Sequence, residues 1–265
     1  MINELCQLAK VAGDAIMQVY HAHKPIDIEI KPDNTPVTSA DLAANNVILA
    51  GLKQLSPSIP ILSEEALAPW SERRHWQRYW LIDPLDGTKE FIKRTGEFTV
   101  NIALIEEGEP TIGVIYYPMD ETLYYAIDGQ AWRVKDGEKT ALTVSENSSD
   151  LIIATTRSHM TGRLGDFLEQ LPAHQKRITG SSIKFCLIAE GSAQLYPRLG
   201  PTSIWDTGAG QAIVEAAGGQ VTDWQGYRLS YYPAPSLLNP EFIVSIPGNQ
   251  IFTLADKRKR SVDDV

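Results

Sequence analysis

Apolar residues recur along the chain in two rhythms. Leu5, Leu8, Ala9, Ala12, Ala15, Ile16 and Val19 fall at helical spacing, which predicts an amphipathic helix over 2–20. A short strand over 26–31 follows, and Thr38 or Ser39 opens a second helix over 40–55 with Ala40, Ala43, Ala44, Val47, Ile48 and Leu52 turned inward. Pro57 and Pro60 end that helix. Ile61-Leu62 and Tyr79 to Ile82 read as short strands, and 98–106, 111–117 and 122–127 as a meander with turns at Gly108-Glu109-Pro110 and Pro118-Met119-Asp120. After the polar break Glu146 to Asp150 the rhythm alternates. Strands are expected at 151–155, 176–178, 193–196, 220–223 and 242–246, and helices at 161–171, 182–190 and 207–217. The pattern is therefore α+β in a first half, 1–147, and α/β in a second, 148–265.

The chain has 265 residues, 43% of them apolar and 22% charged, with a formal net charge of −9. That is long enough for one large domain or two packed halves. The acidic balance argues against a nucleic-acid polymer as partner but not against a small anionic ligand, provided positive charge is supplied where it binds. Two distant cysteines, Cys6 and Cys186, offer no disulfide framework and point to a reducing compartment. Residues 1–20 are interrupted by Glu4, Gln7, Lys10 and Asp14, unlike a signal peptide, and no apolar run reaches the roughly 18 residues of a membrane span. The basic run Lys257 to Arg260 lies among aspartates and reads as a solvated tail.

The candidate chemistry sits where apolar runs end in acids. Trp80-Leu81-Ile82 leads into Asp83-Pro84-Leu85-Asp86-Gly87-Thr88. Pro84 cannot donate to a ladder, so the strand is expected to stop there, with Asp86-Gly87 turning and Thr88 starting a helix. Asp83 and Asp86 can converge across the turn. Two such carboxylates repel unless one is neutralised or a hard divalent cation lies between them, and magnesium suits oxygen ligands, to which the Leu85 carbonyl could add. The alternative is a turn that merely caps a helix. Gly87 and Thr88 offer close backbone approach and a hydroxyl for a phosphate oxygen or a water. Glu64 and Glu65 end the run Ile61-Leu62-Ser63, Asp41 falls in the first turn of the second helix, and Asp206 precedes Thr207-Gly208-Ala209. Singly, these fit solvated glutamates, a helix-dipole acid and an N-cap as well as they fit ligands.

Jointly they do more. Ser63-Glu64-Glu65, Asp83-Pro84-Leu85-Asp86-Gly87-Thr88 and Trp205-Asp206-Thr207-Gly208-Ala209 resemble, in order, the three signature motifs of the inositol monophosphatase superfamily, and the similarity runs over essentially the whole chain. Lys89-Glu90-Phe91 with Gly96-Glu97-Phe98-Thr99-Val100-Asn101 is similar to the 3′(2′),5′-bisphosphate nucleotidase branch; inositol phosphatases typically carry Thr-Asn-Phe at the first of these stretches. The resemblance implies a layered αβαβα sandwich and a lithium-sensitive phosphatase using two or three Mg²⁺ ions. It implies hydrolysis of 3′-phosphoadenosine 5′-phosphate, a by-product of sulfate activation, to AMP and phosphate by in-line attack of activated water.

The family pattern maps metal binding onto Glu64, Asp83, the Leu85 carbonyl, Asp86 and Asp206, and water orientation onto Asp41 with Thr88 or a nearby threonine. Glu65 is implied to support these ligands. Glu64, Leu85, Asp86, Gly87, Thr88 and Asp206 would also border the substrate. His159, Gly180, Lys184 and Arg198 are implied nucleotide contacts, with Arg and Lys the side chains suited to a second phosphate. A cytoplasmic protein is implied, and peripheral attachment to the inner face of a membrane is allowed but required by no residue. The residues alone leave open the oligomeric state and three rivals: another sugar phosphatase of the same fold, a non-catalytic nucleotide sensor, and a metal-binding scaffold.

Overall fold

The computed structural model describes residues 1–22, 26–31, 35–145, 151–156 and 162–247. Helix α1 (Ile2–Tyr20) pairs with α2 (Ser39–Leu55), and a small hairpin, β1 (Ile28–Ile30) with β2 (Pro36–Thr38), lies between them in sequence. A seven-stranded sheet follows: β3 (Ile61–Ser63), β4 (Arg78–Asp86), β5 (Thr99–Glu106), β6 (Glu109–Tyr117), β7 (Thr122–Ile127), β8 (Gln130–Lys135) and β9 (Glu138–Ala141), neighbours in that order. Only β3 and β4 run parallel. Short helices α3 (Trp70–Arg73) and α4 (Thr88–Ile92) flank β4. The second part of the chain gives β10 (Leu151–Thr155), α5 (Arg163–Glu169), β11 (His174–Ile178), α6 (Ile183–Ala189), β12 (Leu195–Arg198), α7 (Gly208–Ala216), β13 (Gln220–Asp223) and β14 (Phe242–Ser245). Its five strands are ordered β11-β10-β12-β14-β13.

The strand period of two sorts these residues into layers. Trp80, Ile82, Val100, Ile102, Leu104, Val114 and Tyr125 face α1 and α2, packing on Leu5, Ala9, Ile16, Ile48 and Leu52. Tyr79, Leu81, Ala103, Ile105, Ile115 and Tyr124 face the other way, onto α6 and α7. Across those helices lie Ala154, Tyr196, Phe242 and Val244 of the second sheet. The alternate residues of that sheet, Ile153, Leu195 and Ile243, pack on α5 through Leu164, Phe167 and Leu168. The order is helix pair, seven strands, helix pair, five strands, helix: an αβαβα sandwich. The spacing between the central layers is tight at Gly113, where an added Cβ would lie 2.5 Å from the Ala209 carbonyl oxygen of α7.

Three details depart from the sequence reading. Strand β4 runs through Pro84 to Asp86, because a register shift against β5 between Asp83 and Asp86 lets the strand continue where Pro84 has no amide to give. Strands β8 and β9 extend the sheet although their sequences are largely polar. Strand β12 spans Leu195–Arg198, two residues later than expected at each end. The expected boundary near residue 147 and the tail Lys257 to Arg260 lie outside the described residues. Among the described residues no helix is long and apolar enough to cross a membrane.

Candidate active site

Asp83 belongs to the face of β4 that looks toward α7, in line with Tyr79 and Leu81, and is 1% exposed. The bulge after it turns Asp86 to the same side, and a 3-10 turn, Ile204–Asp206, delivers Asp206 from the head of α7, where it packs against β4 and β5. One carboxylate oxygen from each of Asp83, Asp86 and Asp206 lies within 4.8 Å of the others. Asp206 is not the N-cap of α7; Thr207 holds that position, and Asp206 accepts from the Ser203 amide at 2.9 Å.

Such a cluster cannot hold three negative charges unaided. Burial, and then the neighbouring carboxylates of Glu64, Asp86 and Asp206, push the Asp83 acid well above its ordinary value. Burial raises Asp86 to about 6, against the pull of Lys184, and raises Asp206 to about 8, with Asp86 adding to the effect. An all-oxygen donor set that resists ionisation in isolation fits a hard divalent cation, so these three residues could hold a metal.

Glu64 contributes to the field but not to the triad. Its Oε1 accepts from Lys31 Nζ at 2.8 Å, and the same ammonium meets Glu65 at 2.6 Å. Burial opposes the Lys31 charge, but Glu64 and Glu65 outweigh it and hold the ammonium above its ordinary value. Burial raises Glu65 to about 7. Just behind, Ser63 donates to Asn45 of α2 at 2.7 Å, which ties the end of β3 to the helix pair.

Asp41 does two things with one carboxylate. Its Oδ2 closes a capping box on Thr38, accepting from the amide at 2.7 Å and the hydroxyl at 2.6 Å. Its Oδ1 accepts from Thr88 Oγ1 at 3.0 Å. Burial raises its pKa despite these bonds. Thr88 also lies 3.3 Å from the Leu85 carbonyl. Gly87 precedes it at φ +99, a conformation only glycine adopts freely, and its position leaves no room for a Cβ beside the Glu97 carbonyl.

From the triad a cleft of about 230 Å³ opens between α4 and the turn that leads into α6. Gly180, Lys184 and Arg198 line it, and so do Ser181, Tyr196 and Thr156. Gly180 donates its amide to Glu97 at 3.1 Å. Lys184 is 4% exposed, donates to the Ser181 carbonyl at 2.6 Å, and lies over the Tyr196 ring. Burial lowers its pKa to about 8. His159 lies outside the described residues.

The Inositol monophosphatase family model matches residues 1–255. The chain belongs to the inositol monophosphatase family. Within it, the chain is 56% identical over 246 residues to the 3′(2′),5′-bisphosphate nucleotidase CysQ of Salmonella typhimurium, covering 93% of this chain and 100% of the relative. The crystal structure of CysQ from Bacteroides thetaiotaomicron superposes with a TM-score of 0.79 at 38% identity, covering 92% of this chain and 97% of that one. The Thermotoga maritima IMPase also gives 0.79, at 25% identity and 98% coverage of both chains. Family members are metal-dependent, in keeping with the acidic triad.

Sequence reasoning did not single out Lys31, Ser181, Ser182 or Asn101 as site residues. Asn101 carried a signal: it is a lone amide between Val100 and Ile102 in a strand whose residues are otherwise buried and mostly apolar.

Proposed function

We propose that this chain is a magnesium-dependent 3′(2′),5′-bisphosphate nucleotidase that hydrolyses 3′-phosphoadenosine 5′-phosphate, with water, to AMP and inorganic phosphate. The observation that carries the reading is the joining of two opposite environments in one cleft: a carboxylate triad at one end and the cations of Lys184 and Arg198 along the wall. A monophosphate ester needs only the first. The kinship with CysQ nucleotidases supports the same choice.

In this reading Asp83, Asp86, Asp206, Glu64 and the Leu85 carbonyl hold two or three Mg²⁺ ions. When bound, these would neutralise the carboxylates, draw charge from the phosphate and lower the pKa of water. Glu64 must then be shared with Lys31. The chain's own proton chemistry lies at Thr88. Its single hydroxyl hydrogen is given to Asp41, which leaves the oxygen lone pairs free to accept from a water. A proton leaving that water passes to Thr88 Oγ1 as the Thr88 proton moves to Asp41 Oδ1. Burial makes the Asp41 carboxylate a better acceptor than a solvated one. Lys184 and Arg198 hold the phosphate that does not react, with His159 as a further contact, and Gly87, Gly180 and the Thr88 backbone shape the path to the triad. Sulfate assimilation supplies a setting for this chemistry, and a cytoplasmic location suits it. Phosphate release from 3′-phosphoadenosine 5′-phosphate, with Mg²⁺ and with a chelator, tests the proposal. Turnover that survives metal removal would overturn it.

A further inference from the structure

Ser182 stands at the start of α6, where a serine ordinarily caps its own helix, yet its side chain makes no capping bond. The preceding Ser181 is in the left-handed region, φ 47, and this turn aims Ser182 at the first sheet instead. There its Oγ lies 2.8 Å from Asn101 Oδ1 and 2.7 Å from Thr99 Oγ1. All three residues are at most 1% exposed. Hydrogen counting then fixes every direction. An amide oxygen only accepts, so Ser182 donates to Asn101, and Thr99 must donate to Ser182. With its oxygen held by Ser182, Asn101 turns its NH₂ to Asp86 Oδ2, at 3.4 Å. Ser182, at the head of α6, thus reaches Asp86 through Asn101. The turn before α6 carries Ser181 into the cleft, and the first turn of α6 carries Lys184 there.

We propose that Ser182 is a positioning residue that couples the phosphate-holding wall of the cleft to the cation affinity of Asp86. The inference rests on the nucleotidase reading of the site. A distal phosphate drawn to Lys184 fixes the N-terminal turn of α6 with Ser182, and that turn holds Asp86, through Asn101, in its ligating position. By linkage, a cation on Asp86 fixes that turn for the phosphate by the same factor. Preference for bisphosphates over monophosphates is then expressed partly as tighter cation binding, not only as extra contacts.

The test is a calorimetric Mg²⁺ titration of the full chain with AMP, which keeps the 5′-phosphate, and with adenosine, which lacks it, corrected for Mg²⁺ binding to free AMP. In the wild-type protein AMP should tighten Mg²⁺ about fivefold or more beyond adenosine, the low end of ordinary coupling. In Ser182→Ala the two ligands should act alike, and Ser182→Thr, which keeps the hydroxyl, should restore part of the difference. If thermal unfolding shows Ser182→Ala misfolded, Asn101→Ala cuts the same chain one bond later and should give the same result. An undiminished difference in the folded variant, or no difference in the wild type, would overturn the coupling. Failure of the wild type to hydrolyse 3′-phosphoadenosine 5′-phosphate would instead overturn the nucleotidase reading.

Discussion

Asp83→Asn should make the metal-free protein more stable while abolishing its response to magnesium. Asp83 is buried among Glu64, Asp86, Asp206 and Asp41, and its carboxyl is raised well above the usual 3.8. A raised acid contributes stability that is complete below its unfolded value and is lost as pH rises toward the folded one, because the unfolded chain releases the proton first. The slope is at most about 1.4 kcal/mol per pH unit per group. Above the unfolded value the loss therefore accumulates with pH, reduced where neighbours share protons or relax. Asparagine imitates the protonated acid and can still accept from the Leu85 amide, now 3.1 Å from Asp83 Oδ1. A gain of about 1–3 kcal/mol is expected, a rise in melting temperature of roughly 2–12 °C for a chain of this size. The assay is thermal unfolding in EDTA and in millimolar Mg²⁺ from about pH 5 to 8. The wild type in EDTA should lose stability across that range, the variant should lose less, and only the wild type should gain from Mg²⁺. A variant that melts below the wild type in EDTA at high pH, or gains as much from Mg²⁺, would refute the reasoning.

Further outcomes follow from the same geometry. Mg²⁺ uptake near neutral pH should expel protons, since Asp206 at about 8 must ionise to ligate while Asp86 at about 6 has largely done so; titrations in buffers of different ionisation enthalpy read the number directly, and none released would contradict the shifts. Thr88→Val keeps the shape but breaks the path to Asp41, so kcat should fall about 10²–10⁴-fold with KM little changed; a loss seen only in KM would remove Thr88 from the proton chemistry. Gly113→Ala should destabilise the fold by about 1–3 kcal/mol in urea unfolding, because the Ala209 backbone of α7 cannot yield as a side chain would, whereas an unchanged midpoint would show that α7 shifts freely.

The layers were legible because strand alternation and helical spacing are written in the apolar residues: Trp80 and Ile82 against Leu81, or Leu5, Ala9 and Ile16. Strands β8 and β9 were not, since an outer strand with polar residues carries little of that pattern. Asp83 and Asp86 were legible as a pair across the turn that follows an apolar strand, whereas Asp206 joined them only through the resemblance of its motif. The engagement of Glu64 with Lys31 was hidden, because Lys31 follows an exposed three-residue strand whose placement no local spacing reveals. The link from Ser182 through Asn101 to Asp86 was hidden for a related reason: it joins residues nearly a hundred positions apart, and Gly180-Ser181-Ser182 reads locally as a helix start. The expectation of a strand ending at Pro84 failed because the bulge, a property of the pair with β5, decides where pairing stops.

The central claim is best met by one comparison: phosphate release from 3′-phosphoadenosine 5′-phosphate and from inositol 1-phosphate, side by side, with and without Mg²⁺. The account predicts strictly metal-dependent release with a strong preference for the nucleotide. Equal or reversed preference would leave the carboxylate triad its role but contradict the phosphate-holding wall of Lys184 and Arg198, and no release from either would contradict the account as a whole.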